Sequence, residues 1–301
     1  MINIDDSYTI ITNNLRGRKP KFKLKKDNKT YIYKYGPVNY EIWAELIAEQ
    51  LGIQAGIPMA HYQLASYKNT IGVLTDYFLG PLELIISSDN LKDNVQAVYD
   101  ENNIPGILKD NTVKNIVTAA TIYDDRVDPE QLSLDLMLRW CFYGAILESD
   151  KNETNIGFIK KFSALALTPD YDNSSMACLN KNINNILDSL RNGQNLYSYT
   201  DNIKTNLKIC AKDTGNFLVD FDNFSKTYPK QCEICMEHIN NINLEEAFDT
   251  VETINQCEIP WEVKFWVTKA ISTRIEDMNE IFNNNKKNNP KIYTKKEPTL
   301  K

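Results

Sequence analysis

Between Asp128 and Ile146 the chain carries a helical run with almost no polar side, through Leu132, Leu136, Leu138, Trp140, Phe142 and Ile146. A helix that is apolar nearly all round must be enclosed by other elements, so this segment predicts a buried central helix inside a sizeable body. Asp128-Pro129-Glu130 marks its start, an N-cap followed by proline at the first helical position. Its end falls at Glu148-Ser149-Asp150, where the sequence turns polar. At 301 residues the chain can supply that enclosure, as one two-lobed unit or two packed domains.

The first eighty residues have a different texture. Short β-branched and aromatic runs at Tyr8–Thr12, Lys21–Lys25, Thr30–Tyr35, Met59–Tyr67 and Thr70–Leu79 are separated by turn residues and predict strands. One helix interrupts them. From Asn39 to Leu51 the residues Ile42, Trp43, Leu46, Ile47 and Leu51 recur at helical spacing, Gly52 stops the helix, and Glu41, Glu45 and Glu49 form a separate stripe. Gly80-Pro81 opens a polar connector reaching Asp110, broken by Pro105-Gly106. Beyond the central helix come two strand candidates, Asn155–Lys160 and Ala164–Leu167, then helical patterns near 182–192, 213–226, 229–240, 243–255 and 260–283. The Asn/Lys-rich end has little to bury and predicts a disordered tail. The fold class is α+β: a β-rich lobe with one helix over 1–80, a connector over 81–110, a mostly helical lobe over 111–283 and a tail over 284–301.

Net charge is −6, so phosphate backbones would repel the chain as a whole, and direct nucleic-acid binding is not expected. No run approaches the roughly 18–20 apolar residues that cross a bilayer. The first residues, Met1-Ile-Asn-Ile-Asp-Asp, carry acids where a signal peptide needs basic residues, and six cysteines in this length do not suggest a disulfide framework. The expectation is a cytoplasmic protein with no membrane attachment. Cys232, Cys235 and His238 have a zinc-like spacing, but they sit on a helical pattern that predicts core packing. His61 reads as structural, Glu49 as part of a solvated face, and the Trp261, Val263, Phe265, Trp266 and Ile271 pattern as core.

The chemistry concentrates after the central helix. Asp150 and Asn155 lie five residues apart in one loop, and Leu165-Ala-Leu-Thr-Pro-Asp-Tyr-Asp172 follows a hairpin-sized strand pair. Phosphoryl transfer uses this inventory: one carboxylate to take a hydroxyl proton, and a carboxylate plus an amide oxygen to hold magnesium. Asp170 and Asp172 both qualify for the second acid. Upstream, Lys34 is a lone cation in Tyr31-Ile-Tyr-Lys-Tyr35, and Glu41 or Glu45 can partner it. The glycine-containing turn Arg16-Gly17-Arg-Lys-Pro-Lys21 could cover phosphates, placing Gly17 and Lys21 in a nucleotide site.

On these residues the chain resembles the HipA-like serine/threonine kinases, particularly their short CtkA-like members, over roughly residues 12–180. The family's catalytic loop has Asp, usually His two residues later, and Asn five residues later, which maps onto Asp150, Asn152 and Asn155. Its Pro-x-Tyr/Phe-Asp pattern maps onto Pro169, Tyr171 and Asp172, and so favours Asp172 as the metal ligand beside Asn155. Counted back from Leu51-Gly52, Glu41 falls at the family glutamate that holds the strand lysine. The resemblance implies a bilobal protein-kinase-like fold with ATP between the lobes and adenine against Leu74–Phe78, involving Asp76, Tyr77 and Phe78. It also implies ATP and Mg2+ as cofactors, a protein Ser/Thr hydroxyl as acceptor with autophosphorylation, and an antitoxin-like protein partner. Two other classes compete: a nucleotide-binding pseudokinase that acts by contact, and a small-molecule or lipid kinase on the same fold.

Overall fold

The computed structural model describes residues 1–12, 19–36, 40–101, 110, 112–151, 153–200, 207–209, 214–288 and 290. The N-terminal part is a six-stranded sheet of β1 (Ile2–Asn3), β2 (Thr9–Thr12), β3 (Lys21–Lys26), β4 (Lys29–Lys34), β5 (Tyr62–Tyr67) and β6 (Thr70–Asp76), in the order β1-β5-β6-β4-β3-β2. β1 joins β5 in parallel and every other neighbouring pair is antiparallel. Strand alternation sorts the side chains between two faces. Phe22, Leu24, Tyr33, Ala65 and Leu74 close a small apolar cluster with Ile4 on one face. Lys34 is cross-strand partner to Lys21 and Val73, and Val73 to Leu64, so these four share the other face.

Helix α1 (Tyr40–Gln54) links β4 to β5 and buries Ile42, Leu46, Ile47 and Leu51 in the main core, which also takes in Leu64 and Val73. Two of its three glutamates, Glu45 and Glu49, are buried as well. Glu49, read from sequence as solvated, accepts a hydrogen bond from the Tyr62 backbone N–H (2.8 Å) and pairs with His61 Nδ1 (2.6 Å). Its face of α1 packs on β5 rather than facing solvent.

A second sheet, β7 (Glu83–Ser87), β8 (Gly157–Lys161) and β9 (Ala164–Leu167), is antiparallel in the order β7-β8-β9. The α-helices that follow among the described residues are α2 (Ser88–Glu101), α3 (Val113–Tyr123), α4 (Pro129–Ala145), α5 (Ile183–Arg191), α6 (Tyr197–Thr200), α7 (Phe217–Thr227), α8 (Pro229–Ile239), α9 (Leu244–Asn255) and α10 (Trp261–Asn288). α4 is the central helix. The Asp128 carboxylate caps it by accepting from Glu130 N and Gln131 N, and Trp140 packs against Phe217, Phe221 and Phe224 on α7. A Cβ at Gly144 would lie 2.0 Å from the Phe217 ring, so glycine lets α7 approach the last turn of α4.

Four expectations change. The connector over 81–110 contains β7 and all of α2; α2 buries Leu91 and Val95, a stripe too narrow to stand out in a polar stretch. The expected tail over 284–301 is helical as far as Asn288, because α10 continues with Phe282 and Asn285 buried and Asn285 Nδ2 bonded to Asp222 Oδ1 (2.8 Å); 291–301 lie outside the described residues. Val263, Trp266 and Ile271 are core residues, but Trp261 and Phe265 are 59% and 53% exposed, since the pattern spans more than the buried face of α10. Met59 lies outside β5 and makes an isolated bridge to Asp170. Cys232 and Cys235 are buried, while His238 turns to the Ala55 carbonyl. Among the described residues no helix is long and apolar enough to cross a membrane.

Candidate active site

Lys34 ends β4 and points toward α1. Its ammonium donates to Glu45 Oε1 (2.5 Å) and to Asp172 Oδ1, joining a strand of the first sheet, α1 and the segment after β9. Burial works against its charge, yet Glu45 and Asp172 hold Lys34 protonated well above the usual lysine range. Burial alone would likewise push the Asp172 carboxyl up, but the charge and hydrogen bond of Lys34 overcome it and hold the group at about 2. Asp172 is therefore ionised at any pH near neutrality. Lys21, paired across the strands with Lys34, lies in the same field; burial lowers its pKa while Asp172 and Glu45 oppose that shift.

The expected partner Glu41 is a correction. It stands in the first turn of α1 and pairs with Lys19 (2.9 Å), whose ammonium also donates to Ser174 Oγ (2.8 Å). One helical turn further in, Glu45 is only 2% exposed and reaches Lys34 with one oxygen and the backbone N–H of Asn173 (3.0 Å) with the other.

Asp150 is exposed at the end of the loop that follows α4. Asn155 Nδ2 donates to the Asp150 carbonyl oxygen (2.7 Å), which anchors the amide and leaves its Oδ1 as the atom available to a cation. Of the two acids after β9, Asp170 is fully engaged: it is 1% exposed, accepts from Tyr143 OH (2.6 Å) and Asn173 Nδ2 (2.9 Å), and pairs with Lys151 (3.3 Å). Asp172 keeps 36% of its side chain accessible and is the one of the pair that can meet a ligand.

Asp76, Tyr77 and Phe78 line a hollow of about 480 Å³ together with Met59, Ala60 and Pro169, and none of Lys34, Asp150 and Asp172 lines it. Tyr77 N donates to Thr30 O (2.9 Å), its ring lies 3.5 Å beneath Lys23 Nζ, and the Phe78 ring lies 5.9 Å from that of Tyr171. Gly17 and Asn152 lie outside the described residues.

Two buried charges escaped sequence reading because both sit in a stretch that looks like solvated loop. Lys151, next to Asp150, is 0% exposed. Glu148, also 0% exposed, accepts from Asp150 N (2.8 Å) and Ser175 N (3.1 Å), bracing the loop against the segment after Asp172. Burial pushes the Glu148 carboxyl up to about 8 from its ordinary 4.5, opposed by Lys151. Between those values the folded chain keeps a proton that the unfolded chain releases, so this group's contribution to stability falls as pH rises from about 4.5 to 8. Glu148→Gln, which cannot ionise, is expected to show a smaller drop in melting temperature between pH 5 and pH 8 than the parent protein. An unchanged drop would show that Glu148 carries its charge throughout.

The donor set fits magnesium: Asn155 Oδ1 and the Asp172 carboxylate are hard oxygens, and Mg2+ is satisfied with one or two protein ligands when phosphate and water supply the rest. Among the described residues no group of three His, Cys, Asp or Glu side chains forms a self-sufficient metal cage.

No protein-family model matches the chain, and no curated protein matches it in sequence. Solved structures do. The Helicobacter pylori proinflammatory kinase CtkA superposes with a TM-score of 0.76 over 95% of this chain and 98% of its own, at 16% identity. HipA of Shewanella oneidensis MR-1, determined with HipB and operator DNA as a toxin-antitoxin system, superposes with a TM-score of 0.57 over 90% of this chain and 67% of its own, at 14% identity. With its β-rich N-terminal sheet and mostly helical C-terminal part, the chain has the fold of the HipA-like kinases.

Proposed function

We propose that this chain is an ATP- and magnesium-dependent kinase that transfers the γ-phosphate to a serine or threonine hydroxyl of a protein, itself included. The observation that carries the reading is the ionic cluster of Lys34 with Glu45 and Asp172, braced through Glu148 and Lys151 to the loop bearing Asp150 and Asn155. In this reading Lys34 binds phosphate oxygens, kept charged and oriented by Glu45. Asn155 and Asp172 hold the magnesium, which would supply charge neutralisation on the phosphates. Asp150, exposed and attached through its backbone to Asn155 and Glu148, orients the acceptor hydroxyl and takes its proton. Tyr77, Phe78 and the hollow beside them are proposed to border the adenine. The complex of HipA with HipB supports an antitoxin-like protein as the partner class, and the proposed use of ATP favours a cytoplasmic site of action.

The test is incubation with γ-labelled ATP, Mg2+ and a mixed protein extract, followed by phosphosite mapping. Label on protein serine or threonine, abolished by EDTA, is the expected result. Absence of transfer would favour a nucleotide-binding module, and label confined to small molecules would move the acceptor to that class.

A further inference from the structure

The peptide unit between Tyr171 and Asp172 is held at both ends. Its carbonyl oxygen accepts a hydrogen bond from Lys151 Nζ, and its N–H donates to the Tyr62 hydroxyl (3.1 Å). The two holders come from opposite sides: Tyr62 opens β5 in the first sheet, while Lys151 directly follows Asp150. Rotation about the next backbone bond fixes where the Asp172 carboxylate points, and there φ is +63°, in the left-handed region that Asp is among the few non-glycine residues to tolerate.

Neutralising Asp170 does not explain why a lysine is buried here. Arg139 already lies 3.7 Å from Asp170 and donates to the Thr168 carbonyl (2.6 Å), while Tyr143 OH and Asn173 Nδ2 fill further sites on that carboxylate. An ammonium with no exposure needs partners for all three donors. Lys151 finds Asp170 Oδ1, the Tyr171 carbonyl and the faces of the Tyr143 and Tyr171 rings, at 5.1 and 5.8 Å. Its bond to the Tyr171 carbonyl is the one that Arg139, Tyr143 and Asn173 do not share.

We infer that Lys151 and Tyr62 are positioning residues that clamp the 171–172 peptide and so set the Asp172 carboxylate against the loop of Asp150 and Asn155. This rests on the kinase reading and adds to it a device that determines metal geometry without touching substrate. Displacement of a reacting group by about 1 Å can cost two orders of magnitude in rate. Lys151→Met is therefore expected to lower kcat by roughly tenfold to a hundredfold, and Tyr62→Phe, which removes one oxygen from a buried ring, by a smaller factor.

In both variants the Mg2+ concentration for half-maximal rate should rise while KM for ATP stays within about twofold, because Lys34 keeps its bond to Glu45. A purely structural role would lower the melting temperature without moving the Mg2+ requirement. The double variant should fall short of the product of the two single effects, since both act on one peptide. A folded Tyr62→Phe or Lys151→Met protein with parental kcat and Mg2+ dependence would overturn the inference; if Lys151→Met does not fold, Tyr62→Phe decides. Parent protein and Asp150→Asn run in the same assay separate the two levels. Transfer by the parent with unaffected clamp variants sinks the clamp alone, and no transfer by the parent sinks both.

Discussion

Asp150→Asn is expected to lower phosphate transfer from ATP by about two to four orders of magnitude, the range for removing a positioned general base. The substitution keeps the size of the side chain and both backbone contacts, from its N–H to Glu148 and from Asn155 to its carbonyl, so the loop should retain its path. Nucleotide affinity, assigned in the proposed mechanism to Lys34 and the hollow beside Tyr77 and Phe78, should change little. The measurement is single-turnover transfer together with equilibrium binding of ATP and Mg2+. Parental transfer by Asp150→Asn would show that the proton leaves by another route.

Lys34→Met is expected to abolish transfer and also to destabilise the fold by about 3–5 kcal/mol, because it leaves Glu45 as an uncompensated charge in a dry site. Glu45 is 2% exposed and has only the Asn173 N–H left to satisfy it. By contrast Glu41→Gln should cost about 0–1 kcal/mol, since its pair with Lys19 is partly solvated, 27% and 13% exposed on the two sides. Urea unfolding of the three proteins would test the contrast. A larger loss from Glu41→Gln than from Lys34→Met would put the wrong glutamate behind the lysine.

That contrast also marks where the sequence stops being informative. Glu41, Glu45 and Glu49 repeat every four residues and therefore share one helical stripe. Period alone cannot say which turn of the stripe lies deepest; that follows from how α1 docks on β5 and on the segment after Asp172. The order of strands around α1, the central helix and the β8–β9 hairpin could be read because each carries a strong periodic or capping signal, such as the Asp128-Pro129 start of α4. Lys151 and Glu148 could not, since a charged residue in a polar loop looks solvated until the fold closes over it. Trp261 and Phe265 erred in the opposite direction, being large and apolar yet outward.

Helix α1 has little freedom to act as a gate. Protein kinases are often switched by moving the helix that bears the lysine's glutamate. Here that helix is riveted at successive turns: Glu45 to Lys34 and Asn173, and Glu49 to the start of β5. Swinging it outward would take the carboxylate partners away from Lys34 and from the Asn173 and Tyr62 backbone N–H groups at once. The looser contact is at the first turn of α1, where Lys19 bridges Glu41 and Ser174 with 27% of its side chain open to water.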